Sequence, residues 1–191
     1  MKKTLLLAFI FMPFILFAQS QSSIGLYAGA TFPMSPSDFK SYWKTSFSIG
    51  GDYSQKVGNV FYLGGELNYS SFSLDNSSLG VSSSVTGGAF NALQILGFVK
   101  LQDENSAGMI APFGKVGLGL SSSSASDLKV SGTTIATGTS ETGLGISLAA
   151  GLDYKLAAGN KLSLELSYRM NNRKSDSYNG IIFALGYRFK I

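Results

Sequence analysis

The sequence predicts an all-β fold, a transmembrane antiparallel up-and-down β-barrel of eight strands, on three observations. Only 14% of residues are charged, against 23 glycines and 13% aromatics, yet past residue 18 no apolar stretch is long enough for a spanning helix. Period-two alternation of apolar and polar residues recurs in eight segments. Every charge within those segments falls on the phase opposite the large apolar side chains. Membrane-type composition without membrane helices points to strands.

The chain opens as a targeting segment. Lys2 and Lys3 form a positive n-region, Leu5 to Phe17 an apolar h-region, and Ala18 offers a small residue for cleavage, although Leu16 is larger than such sites prefer. Residues 1–18 are therefore expected to be a cleaved signal peptide and residues 19–191 one barrel domain, an uncleaved anchor being the alternative. Setting aside Lys2 and Lys3 takes the 15 basic residues to 13 against 11 acidic ones, a net charge of +2. So slight an excess implies no nucleic-acid partner.

The eight segments lie near residues 23–33, 45–54, 60–72, 89–101, 111–121, 142–155, 162–170 and 180–191. In the last, Ile181, Phe183, Leu185, Tyr187 and Phe189 share one face and Ala184, Gly186, Arg188 and Lys190 the other. The seventh sets Leu162, Leu164, Leu166, Tyr168 and Met170 against Ser163, Glu165, Ser167 and Arg169. Connections alternate long (33–44, 73–88, 122–141, 171–179) and short (55–59, 102–110, 156–161), as in an outer-membrane barrel with both termini in the periplasm. Around Gly132 and Thr133 a turn predicts that strands five and six continue as a hairpin above the membrane, and ten strands are the alternative if the serine-rich loops pair further.

Asp52, Glu66, Lys100, Lys115, Asp153, Glu165, Arg169, Arg188 and Lys190 all share the phase opposite the apolar residues. Lipid demands such a charge-free outer face, since a Lys or Arg at the bilayer midplane costs about 2–4 kcal/mol. Aromatics on the apolar phase gather at strand ends: Tyr53, Phe61, Tyr154, Tyr187 and Phe189 near the short turns, Phe47, Tyr69 and Tyr168 toward the long loops.

Several short segments together resemble the eight-stranded outer-membrane β-barrel family that includes the OmpA-like transmembrane domains and the opacity-type, porin-like proteins. They are Ile24-Gly25-Leu26-Tyr27-Ala28-Gly29-Ala30, Pro112-Phe113-Gly114-Lys115-Val116-Gly117-Leu118-Gly119, Gly151-Leu152-Asp153-Tyr154, Leu166-Ser167-Tyr168-Arg169 and Leu185-Gly186-Tyr187-Arg188-Phe189. The resemblance covers nearly all of the chain after residue 18. It implies insertion into a bacterial outer membrane, with lipid and lipopolysaccharide as neighbours. Phe189 resembles the terminal aromatic read by the barrel-assembly machinery, although Lys190 and Ile191 follow it. Larger relatives carry a peptidoglycan-binding domain after the barrel, and no such role is expected here.

Histidine and cysteine are both missing from the sequence, which removes Ser-His triads, thiol nucleophiles and the common metal sites. No cofactor and no enzymatic activity are expected. Gly114 to Gly119 imitates a phosphate loop, but no helix is expected after it.

Five bases and four acids in a narrow lumen should pair, and Glu165 with Arg188 is the expected pair, with Glu66 bridged to a base across the lumen. A packed polar core is the expected role; a gated pore for ions or small solutes, whose pairs exchange partners, is the alternative. In the first long loop Phe39, Tyr42 and Trp43, beside Lys40 and Lys44, form a candidate contact patch for lipopolysaccharide or an unidentified surface ligand, or else an interfacial anchor. A soluble barrel binding an apolar ligand inside would need the opposite phase of charges. The expected function is structural, or the binding of surface partners by loops.

Overall fold

The computed structural model describes residues 21–76, 85–103, 108–173 and 176–191; the expected signal peptide lies outside these described residues. In chain order the strands are β1 (Ser22–Ser35), β2 (Ser46–Lys56), β3 (Phe61–Phe72), β4 (Val85–Gly87), β5 (Phe90–Gln102) and β6 (Ile110–Ala125). There follow β7 (Leu128–Val130), β8 (Thr133–Ala136), β9 (Thr139–Lys155), β10 (Lys161–Asn172) and β11 (Ser177–Lys190). One short helix, α1 (Ser37–Tyr42), sits between β1 and β2.

Eight of these strands close into one antiparallel barrel in the order β1-β2-β3-β5-β6-β9-β10-β11, with β11 returning to β1. Closure leaves no unpaired sheet edge, which is what permits strands to cross lipid. The faces alternate without interruption. Along β5, Phe90, Ala92, Gln94, Leu96, Phe98, Lys100 and Gln102 are buried, and Leu93, Ile95, Val99 and Leu101 between them are exposed. Every barrel strand exposes a large apolar side chain: Leu26, Ile49, Leu67, Ile95, Leu118, Leu148, Leu166 and Phe183 are all between 47% and 59% exposed. In water such a continuous belt would be a severe liability, whereas in lipid it faces its own kind. Phe47 and Tyr168 on one side of the belt, and Tyr53, Phe61, Tyr154 and Phe189 on the other, are exposed aromatics.

The interior is filled by side chains. Inward glycines make room for rings: Gly50 lies under Tyr27, Gly64 under Phe98 and Gly151 under Phe113, and any side chain at these positions would collide with the ring.

The ladder between β6 and β9 runs past its expected end to Ala125 opposite Thr139. The chain then forms the β7–β8 hairpin, whose turn residues Ser131 (φ 50) and Gly132 (φ 81) have the paired positive φ of a type I′ turn. With β4 this hairpin makes a separate three-stranded sheet instead of lengthening the barrel.

Candidate functional site

The lumen charges fall into two groups at different heights. Nearer the short turns, Arg188 on β11 forks onto Asp52 on β2, Nη1 to Oδ1 at 2.6 Å and Nη2 to Oδ2 at 3.0 Å. Strand β1 runs between them, and Gly25 is its inward residue opposite both. A Cβ there would stand 2.9 Å from Asp52 Oδ1 and 3.1 Å from Arg188 Nη1, so the fork spans a strand because that strand carries no side chain at this height. Across the lumen Lys100 Nζ lies 2.9 Å from Asp153 Oδ2. Asp153 also accepts hydrogen bonds from Gln102 Nε2 (2.8 Å) and Ser163 Oγ, and Arg188 Nε donates to Ser163 Oγ at 3.0 Å.

Nearer the long loops, Lys115 Nζ on β6 sits 2.8 Å from Glu66 Oε2 on β3 and 2.8 Å from Glu165 Oε2 on β10. Arg169 on β10 pairs with Glu66 and lies 3.9 Å from Glu165. Tyr27 Oη donates to Glu66 Oε1 at 2.7 Å, and Arg169 Nη1 to Gln94 Oε1 at 3.1 Å. Each quartet holds two acids and two bases and is electrically neutral. All eight residues are buried. The enclosed spaces beside them are cavities of about 10 Å³, room for roughly one water each.

Three expectations need correction. Lys190 belongs to neither quartet: it is exposed at the turn-end rim, its stem against Gly159. Glu165 and Arg188 do not meet, because Glu165 stands opposite Ala184, four residues from Arg188 along β11, about 13 Å of strand. Adjacent strands supplied the right neighbours at the wrong height. Finally, Phe39, Tyr42 and Trp43 are not one contact surface. Phe39 is only 5% exposed and points from α1 into the loop-end mouth. There it packs on Phe72 (4.9 Å between ring centroids) and Phe90 (5.3 Å), and Phe90 stacks edge-on against Tyr178 at 4.5 Å. Trp43 Nε1 donates to Gly88 O at 3.0 Å, and Lys44 pairs with Asp75 at 3.1 Å, tying the first long loop to the second. Tyr42 alone of the three faces outward.

Sequence reasoning passed over Tyr27, Gln94, Gln102 and Ser163, which complete the quartets, and Phe72 and Phe90, which hold Phe39. All six lie on the inward phase of their strands, shared with the charges in β3, β5 and β10 and set in the uncharged β1 by its outward Leu26, and that phase was the signal available.

A closed antiparallel wall, apolar outside and ionic within, defines a transmembrane barrel of the outer-membrane class. The chain belongs to the outer membrane protein beta-barrel domain family, whose model matches residues 4–189. No curated protein matches the sequence significantly. Among solved structures it is similar to Neisserial surface protein A, NspA, with TM-score 0.59 at 14% identity, covering 90% of this chain and 96% of that one. It is also similar to the outer membrane protein OprG from Pseudomonas aeruginosa (TM-score 0.56, 10% identity, 89% and 96% covered). The attachment invasion locus protein Ail of Yersinia pestis gives TM-score 0.50 at 17% identity, covering 89% and 99%. At such identities the likeness is one of fold. One further match corrects the expectation of a non-enzyme: the outer membrane enzyme PagL overlays with TM-score 0.44 at 14% identity, covering 88% and 99%. The missing histidine and cysteine exclude only the chemistries that need them.

Proposed function

We propose that this chain is a sealed structural barrel of the bacterial outer membrane whose long-loop end serves as a surface for partners. In this reading residues 1–18 are removed on secretion, the barrel-assembly machinery inserts the rest with both termini in the periplasm, and the long loops face outward. The observation that carries it is the pairing of the lumen: each of the eight buried charges has an opposite charge within 4 Å. A water-filled path would have to separate such pairs, and breaking a buried pair costs about 3–5 kcal/mol. Phe39 and its aromatic neighbours add an apolar stopper above the quartets. Outside that stopper, Tyr42, Lys40 and the hairpin's Ile135 are exposed, apolar and basic groups that suit an amphipathic anionic ligand such as lipopolysaccharide.

The test is single-channel recording of the refolded chain in a planar bilayer, after its gel mobility has shifted on heating as that of folded barrels does. A silent, folded barrel is expected. Stable openings that change on neutralising Glu66 or Lys115 would overturn the sealed reading in favour of a gated pore.

A further inference from the structure

Above the lipid-facing belt four neighbouring strands change character together. The outward positions of β3, β5, β6 and β9 run apolar as far as Tyr69, Leu93, Leu120 and Leu144. At the next outward position each strand carries a hydroxyl or an amide: Ser71, Asn91, Ser122 and Thr142, with Ser124 and Ser140 beyond them on the two longest strands. The register sets these side chains abreast. Ser71 stands opposite Asn91, Asn91 opposite Ser124, and Ser124 opposite Ser140, while Ser122 stands opposite Thr142 one period below. Tyr69 Oη donates to Asn91 Oδ1 at 2.9 Å, so its ring borders the shelf.

No acid or base occupies an outward position on any of these four strands. Lipid accounts for that within the belt, but above it the penalty on charge fades, and the shelf is still built only of serine, threonine and asparagine. Such side chains both donate and accept hydrogen bonds. Sugar hydroxyls do the same, whereas phosphate and carboxylate groups are matched best by bases, of which the shelf has none. The shelf continues, strand by strand, the face that lipid tails cover. What lies against it is therefore the headgroup region of the same lipids.

We propose that this shelf holds the uncharged sugar portion of a glycolipid in the leaflet at the long-loop end, with Ser122, Ser124, Ser140 and Thr142 exchanging hydrogen bonds with its hydroxyls. The site rests on the outward orientation proposed above only for the choice of leaflet. It is separate from Lys40 and Tyr42 and does not depend on whether the lumen conducts.

The test places the folded chain in nanodiscs of phosphatidylcholine alone, with added diglucosyl diacylglycerol, or with added phosphatidic acid, and reads backbone amide resonances. Both faces of a disc carry the same lipids, so the result is independent of orientation. Shifts at Asn91, Ser122, Ser124 and Thr142 are expected to saturate with the glycolipid and to be absent with phosphatidic acid. Ser122→Ala/Ser124→Ala/Thr142→Val removes three hydroxyls at nearly constant volume and should weaken the response about tenfold. Gel mobility confirms that the variant folds. Equal shifts with phosphatidic acid, no shift with the glycolipid, or a response unchanged in the triple variant overturns the proposal. None of these outcomes bears on conductance, so failure here stays distinct from failure of the sealed reading.

Discussion

Replacing Lys115 with methionine tests whether the upper quartet is one electrostatic unit. Lys115 is 1% exposed, and its ammonium is shared by two carboxylates at 2.8 Å each. Methionine matches the stem but removes the charge, leaving Glu66 and Glu165 with Arg169 alone. Leaving a buried charge uncompensated costs about 3–5 kcal/mol. Lys115→Met/Glu165→Gln restores neutrality, because Arg169 and Tyr27 still serve Glu66. The double variant should therefore be more stable than Lys115→Met itself, with a coupling of about 2 kcal/mol, within the range for residues in one network. The assay is urea unfolding in lipid vesicles, followed by the band shift and by circular dichroism. Additive single losses, or a Lys115→Met loss below about 1 kcal/mol, would show that the quartet is not the buried unit described here.

Two further outcomes are expected. Phe39→Ala should empty the loop-end stopper, at a local cost of about 3–5 kcal/mol, shifting Trp43 emission to the red and exposing the first long loop to protease while barrel dichroism is retained. An unchanged Trp43 spectrum would contradict the packing of Phe39. Leu148→Arg, in the lipid-facing belt, should cost about 2–4 kcal/mol in urea unfolding, and Leu144→Arg, two periods of alternation nearer the loops, about 0–1 kcal/mol. Equal costs would mean that the belt is centred elsewhere.

The alternation of Leu164, Leu166 and Tyr168 with Ser163, Glu165 and Arg169 was legible because lipid enforces it: every second residue must be uncharged. Above the belt that constraint ends. Ser122 to Ala125 and Thr139 to Glu141 are strand in the structure but carry no apolar contrast, so the expected strands stopped too early there. The turn near Gly132 was legible, but its pairing with β4 in a separate three-stranded sheet was not, because beyond the belt lipid no longer enforces alternation.

Phe39 shows a different limit. In sequence it is one aromatic of an amphipathic loop beside Tyr42 and Trp43, and nothing local separates the residue that plugs the mouth from the one that faces outward. The short helix α1 decides it by turning Phe39 toward Phe72, Phe90 and Tyr178, residues drawn from β3, β5 and β11.

By itself, the sequence determined which side of each strand meets lipid and which meets the lumen, because that choice has a period of two and a penalty of kcal/mol for every error. Only the tertiary structure decided which lumen charges are partners. Pairing depends on register, and register is set by closure of the whole wall, by glycines such as Gly25 that let Arg188 reach Asp52 across a strand, and by the heights at which eight strands come to rest.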